Sequence, residues 1–188
     1  MRQKTLIVMV KEPRAGRVKT RLGRDIGMTA ATNWYRQQTA RTLRTLRDPR
    51  WQIVLAVAPD TSLRSPAWPP DLPRIPQGRG DLGTRMRNAL KSTPGPTLLI
   101  GSDIPGITGT HIAQAFAHLG TAQSVIGPAT DGGFWLIGLH HPGTAPKALF
   151  AHTRWSHPET LTDTLPGLPQ PVARAETLAD VDTARDLA

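Results

Sequence analysis

The sequence predicts an α/β domain with a mostly parallel sheet flanked by helices. Short β-branched apolar runs recur at 4–10 ("KTLIVMV"), 51–58 ("WQIVLAVA") and 97–101 ("TLLIG"). Stretches with apolar residues at helical spacing alternate with them, at 29–47, 80–91 and 108–120. Alternation of this kind is the pattern of βα units, whose strands are buried on both faces. Polar, glycine-containing stretches follow the strands, and in open α/β sheets ligands bind outside the carboxyl ends of the strands.

In chain order, 4–10 is a buried strand and the basic stretch 11–22, "KEPRAGRVKTRL", is the loop that follows it. Within 29–47, Tyr35, Thr39, Thr42/Leu43 and Leu46 share one helix face. Arg41, Arg44 and Arg47 form a neighbouring stripe, either solvated or facing an anion. Residues 51–58 are the second strand. Residues 59–76 hold six prolines around Trp68 and read as a loop. In 80–91, Leu82, Met86 and Ala89/Leu90 mark a short amphipathic helix. Residues 97–101 are the third strand, and "SDIPG" is a turn at its end. The helix at 108–120 has Thr108 or Thr110 as its cap and Gly120 as its stop. "SVIGPATDGGFWLIGL" (124–139) reads as strand, glycine-rich turn, strand, and a final short helix begins near Asp182. One domain is expected for 188 residues, without internal repeats.

Composition narrows the function classes. The chain has no cysteine, which removes disulfides, thiolate metal sites and a cysteine nucleophile. No apolar run approaches the roughly 18 residues of a membrane span. "TLIVMV" is too short for a secretory signal, so a cytoplasmic location is expected. The net charge is +9, and its distribution is uneven. Residues 1–50 hold 13 Lys/Arg against 3 Asp/Glu, a net +10, and the remainder is at −1. A field focused in this way suits an anionic small molecule as well as a nucleic acid.

The basic loop resembles a P-loop in Gly16, Lys19 and Thr20, but Val18 precedes Lys19 where that motif requires glycine. Its physics remains apt for phosphate: Arg21 can fork two oxygens and Lys11 and Lys19 supply point charges. The alternative is a solvated basic loop. Asp103, at the end of a buried strand, is placed to bind Mg²⁺ or Mn²⁺, or else to form a turn before Pro105. Asp131 precedes two glycines and either contacts a sugar hydroxyl, metal-bound water or acceptor, or belongs to a plain Asp-Gly hairpin turn. "QGRGDLGTR" (77–85), with Gly80 and Asp81, either closes over a base or ribose or leads into the next helix. Asp182–Thr183 reads as a helix start. His140 and His141 are adjacent and diverge if in a strand, and no histidine set forms a metal box. No serine lies in a G-x-S-x-G elbow, so covalent catalysis is not indicated.

"KEPxxGxVKTRL", "GDLGTRM", "GSDIPG", "GPATDGGFWLIGL", "RWS" and "DVDTARDL" occur in that order across nearly the whole chain. Together they resemble the rSAM/selenodomain-associated transferases of the GT-A nucleotide-diphospho-sugar transferase superfamily. The loop "AGRVKTRL" is also similar to that of phospholactate guanylyltransferases. The resemblance implies a Rossmann-like GT-A domain whose first loop holds nucleotide phosphates through Lys11, Gly16, Lys19, Thr20 and Arg21. It implies Gly80 and Asp81 beside the nucleotide, Asp103 on a divalent metal and Asp131 beside the acceptor. Two departures stand out: 102–105 reads "SDIP" where many glycosyltransferases have D-x-D, and "WSH" stands where relatives have "WST".

The expected function is metal-dependent transfer from a nucleoside triphosphate or nucleotide sugar to a small acceptor. Lys19 and Arg21 would stabilise the leaving phosphates and Asp103 would hold Mg²⁺ or Mn²⁺. Asp131 would be the base in glycosyl transfer. The missing D-x-D favours nucleotidylyl transfer. Two other readings stand beside it: a nucleic-acid binder using the basic N-terminal quarter, and a nucleotide-binding relative without catalysis. Residues 1–33 hold no aromatic residue for base stacking, which counts against the first.

Overall fold

The computed structural model describes residues 3–179, Val181 and Thr183. Its centre is one seven-stranded sheet of β1 (Thr5–Lys11), β2 (Gln52–Ala58), β3 (Arg74–Pro76), β4 (Thr97–Ile100), β5 (Ser124–Pro128), β6 (Phe134–Leu139) and β7 (Val172–Arg174). Their spatial order is β3-β2-β1-β4-β6-β5-β7. Only β6 runs against its neighbours, β4 and β5. The helices are α1 (Thr20–Ile26), α2 (Met28–Thr45), α3 (Leu82–Lys91), α4 (Gly109–His118) and α5 (Thr160–Thr164).

The period-2 geometry of β1 sorts the core into two layers. Leu6, Val8 and Val10 meet one cluster, with Leu43 and Leu46 from the α2 end and Ile112 and Phe116 of α4. Ile7 points to the other, with Met86 and Leu90 of α3 and Leu149 and Phe150. Strand order reverses between β1 and β4: the chain pairs β1 with β2 on one side and returns to pair β4 on the other. Their carboxyl ends therefore open a crevice side by side, the usual ligand position in doubly wound sheets.

The proline-rich loop is a pinned structure. Arg74 donates to the carbonyls of Leu63 (2.7 Å), Trp68 (3.3 Å) and Pro69 (3.1 Å). The indole of Trp68 donates to Ser62 O at 2.9 Å. Thr108 is the cap of α4, in a reciprocal capping box with His111.

Several elements differ from expectation. Residues 20–26, of which 20–22 read as the end of the basic loop and 23–26 as no element, form α1, which buries only Leu22 and Gly23; a seven-residue helix carries too little periodicity to read. β3 and β7 are three-residue strands flanked by proline and were hidden by it. His140 and His141 do not diverge. They follow β6, and their rings pack edge to face with centroids 4.3 Å apart, while His140 Nδ1 lies 2.5 Å from Leu119 O. The helix expected near Asp182 lies outside the described residues. No helix among the described residues is long and apolar enough to cross a membrane.

Gly138 of β6 sits where a Cβ would collide with Leu98 Cδ2 and lie 2.7 Å from Val125 Cγ1. Both neighbours are fully buried. Gly138→Ala is expected to destabilise the fold by about 1–3 kcal/mol. Urea unfolding of both proteins measures this, and an unchanged midpoint would show that the sheet spreads freely there.

Candidate active site

The crevice is walled by the loop after β1 and the turn after β4. Glu12 pins the first loop: its Oε2 accepts from Ser62 Oγ at 2.7 Å and pairs with Arg14 Nε at 2.6 Å. The Ser62 hydroxyl is the main reason the Glu12 carboxyl titrates below its ordinary value. Gly16 turns the loop at φ +74° with open space around it, so its need is conformational.

Lys19 caps α1 in the left-handed region, at φ 44° and ψ 49°. For a residue with a Cβ this costs about 1–2 kcal/mol. Its side chain points inward. Lys19 Nζ pairs with Asp103 Oδ2 at 2.7 Å and donates to Val181 O at 2.5 Å. The Lys19 side chain is 7% exposed and that of Asp103 is 29% exposed.

Tyr35 ties the two walls together. Its buried hydroxyl accepts from Lys11 N at 2.9 Å and from Ser102 Oγ at 3.0 Å. Burial pushes its ionisation upward. Buried Gln77 has a parallel role: Nε2 donates to Val10 O (3.1 Å) and Ala56 O (2.9 Å), and Oε1 accepts from Arg85 Nη1 at 2.9 Å.

Three cavities meet here. A basic one of about 540 Å³ is bounded by Lys11, Arg17, Lys19, Thr20, Arg21 and Asp103. A second of about 610 Å³ continues from Lys11 and Arg17 past Pro59 and Asp60 to Gly78, Arg79 and Arg85. A third, also about 540 Å³, lies on the β6 side and includes Arg21, Asp103, Asp131, Phe134, Trp155 and His157. Arg21 and Asp103 belong to both the first and the third.

The structure thus brings together Lys11, Lys19, Thr20, Arg21, Asp103 and Asp131. Gly16, Gly80 and Asp81 lie outside these three linings. Asp81 is the N-cap of α3, its Oδ1 accepting from Thr84 N at 2.8 Å; the Thr84 hydroxyl first and this backbone bond second lower its titration. The Gly80–Asp81 turn is flanked by Arg79 and Arg85, which do reach the second cavity. Arg17, Tyr35, Gln77, Trp155 and Ser156 were not singled out from sequence. Signals for some were present: Arg17 lies in the basic loop, Gln77 opens "QGRGDLGTR", and Trp155 and Ser156 belong to "RWS".

Asp131 belongs to the β5–β6 hairpin turn, where its Oδ1 accepts from Gly133 N at 2.9 Å. Gly132 has φ +88°, and a Cβ there would strike the Pro158 carbonyl. Only glycine lets segment 154–161 dock here, through Leu161 N to Gly132 O at 2.9 Å. Arg154 clamps that segment to Asp163 with bonds of 2.8 and 2.9 Å, drawing the Asp163 carboxyl down to about 2.

Among the described residues no group of three His, Asp or Glu forms a metal cage. A lone, part-exposed carboxylate still fits Mg²⁺ or Mn²⁺ delivered with substrate, since such ions commonly take one or two carboxylates plus phosphate oxygens.

The seven-stranded, mostly parallel sheet flanked by helices is a GT-A-like α/β fold, the fold of nucleotidyltransferase and nucleotide-sugar transferase enzymes. The chain belongs to the DUF2064 family of uncharacterized proteins conserved in bacteria, which matches residues 39–157. A Desulfovibrio desulfuricans G20 structure, provisionally described as a nucleotide-diphospho-sugar transferase, is 30% identical with a TM-score of 0.86, covering 100% of this chain and 85% of that one. The fold is shared with Mycobacterium tuberculosis H37Rv Rv0371c in complex with manganese (TM-score 0.57, 16% identity, 98% and 96% of the chains). It is shared too with 4-diphosphocytidyl-2C-methyl-D-erythritol synthase of Anaerococcus prevotii DSM 20548 (TM-score 0.61, 9% identity, 99% and 93%). No protein with a curated description matches the chain.

Tyr35→Phe removes the acceptor for the Lys11 N–H and the Ser102 hydroxyl. A cost of about 1–3 kcal/mol in thermal or urea unfolding is expected. A variant as stable as the parent would show that the two walls are held without this hydroxyl.

Proposed function

We propose that the protein is a divalent-metal-dependent, nucleotide-utilising transferase that moves a nucleotidyl group from a nucleoside triphosphate to a small acceptor. The carrying observation is the Lys19–Asp103 pair at the reversal point, with basic cavities on one side of it and a third cavity on the other. The two basic cavities suit the nucleotide. Lys11, Arg17 and Arg21 face its phosphates with Thr20 beside them, while Gly16 shapes the loop that presents these cations and the Gly80–Asp81 turn lies between Arg79 and Arg85.

Asp103, with phosphate oxygens, would hold Mg²⁺ or Mn²⁺, which supplies charge neutralisation at the reacting phosphate. An acceptor oxygen in the third cavity attacks the α-phosphorus as the bond to the bridging oxygen breaks and pyrophosphate departs. Catalysis is then positioning plus charge stabilisation, for which Arg21, shared by both cavities, is well sited. Asp131, at the cavity rim, contacts the acceptor. Lys19 neutralises Asp103, and phosphate oxygens entering beside Asp103 take over its ammonium.

Glycosyl transfer from a nucleotide sugar is the second reading, favoured by the likeness to the Desulfovibrio protein. The same Asp103 and basic loop would then serve a departing nucleoside diphosphate.

A thermal-shift panel of nucleoside triphosphates and nucleotide sugars with Mg²⁺, Mn²⁺ or EDTA separates these readings. A ligand at 100 times its Kd adds about 2.7 kcal/mol of stability. Stabilisation by one donor class, lost with EDTA and in Asp103→Asn, is expected; retained metal-dependent stabilisation in that variant removes Asp103 from the site. Lys19→Met is expected to bind Mn²⁺ alone roughly tenfold more tightly, as read by electron paramagnetic resonance of free Mn²⁺, because the competing ammonium is gone. Unchanged or weaker Mn²⁺ binding would end the counter-ion role.

A further inference from the structure

The third cavity differs in chemistry from the basic ones. Its wall with the first cavity is Met9, Arg21, Leu82, Gly101, Asp103 and Ser156. Behind that wall lie Met86, Phe134 and Trp155. Phe134 stacks on buried Phe150 at 6.3 Å and meets Trp155 edge-on at 6.2 Å. Phe134 and Trp155 are only half-buried, and Leu82 is 36% exposed. Apolar and aromatic surface at the wall of a cavity of this size favours a ligand whose body can cover it, in proportion to the apolar area removed from water.

The polar groups behind the wall are partly committed to the protein itself. Thr160 Oγ1 donates to Arg154 O and His157 O at 2.6 and 2.7 Å. Asp131 Oδ1 holds Gly133 N, and His157 Nδ1 accepts from Glu159 N at 3.1 Å. Each hydroxyl of a polyhydroxylated body buried against the apolar part of this wall without a partner would cost about 1–3 kcal/mol. The indole N–H of Trp155 is buried without an acceptor in the structure, so packing alone holds the ring. The chain accepts backbone strain around it: Phe150 (φ 69°) and Ser156 (φ 55°) both sit in the left-handed region.

We infer that the acceptor has an aromatic or branched aliphatic body and one acidic oxygen head of the phosphate-monoester kind, and is not a sugar phosphate. This rests on the transferase reading above. The head lies at the shared wall, where Arg21 meets its charge, and the body covers Leu82, Phe134 and Trp155. A head oxygen forms the new bond to the α-phosphorus, the bond from that phosphorus to the bridging oxygen breaks, and pyrophosphate leaves with the electron pair.

The test is isothermal titration of the full chain, with Mg²⁺ and a non-hydrolysable triphosphate analogue, against phenyl phosphate, isopentyl phosphate and glucose 1-phosphate. Phenyl and isopentyl phosphate are expected to bind at least tenfold more tightly than glucose 1-phosphate. Trp155→Ala should weaken phenyl phosphate at least tenfold while leaving the nucleotide thermal shift unchanged. Phe134→Leu, a milder change, gives the same readout if the first variant fails to fold. Glucose 1-phosphate binding as tightly as the apolar phosphates overturns the inference, as does an unmoved phenyl phosphate affinity in folded variants. Nucleotide binding without a preference for apolar phosphates defeats this inference alone, whereas absence of any nucleotide shift defeats the transferase reading.

Discussion

The ion pair between Lys19 and Asp103 is the constraint around which the site is organised. It spans the crevice left where strand order reverses between β1 and β4. Lys19 has left-handed backbone at the start of α1, and Arg21, two residues on, lines two cavities. The same ammonium reaches the Val181 carbonyl, so the far end of the described chain is drawn onto the same point. Loop, helix, strand end and C-terminal segment thus share one buried charge.

Around that charge the neighbouring groups keep the crevice open by holding its walls at fixed distance. The Tyr35 hydroxyl joins the backbone after β1 to the turn after β4, and Gln77 joins β1 and β2 to α3 through Arg85. Both are buried polar groups that bond to more than one segment, and such groups order a site because their partners have no equivalent alternative. The basic side and the aromatic side then meet at Arg21 and Asp103. A reaction that joins a polyanion to a second molecule needs such a meeting point.

Much of this was legible in sequence. The apolar runs of β1, β2 and β4 are buried on both faces and so read without ambiguity, and their alternation with α2, α3 and α4 implied the parallel sheet. That sheet put "KEPRAGRVKTRL" and "GSDIPG" at one edge. Short elements were less legible: α1, β3 and β7 owe their conformation to neighbours, and proline masked the two strands. Asp81 reads equally as ligand or cap from sequence, and the structure uses its carboxylate as a cap. Lys19 reads as a phosphate-facing point charge, whereas the structure turns it inward onto Asp103.

The sequence by itself determined the fold class, the concentration of positive charge in the first fifty residues and the strand-end positions of Lys19, Arg21 and Asp103. These depend on local composition and period, which one segment can express. Tertiary structure alone decided which side chains pair across the crevice, that Tyr35 and Gln77 are its ties, and that Phe134 and Trp155 form an apolar wall with Leu82. Those outcomes rest on contacts between segments tens of residues apart, set by strand order and close packing, and no local pattern encodes them.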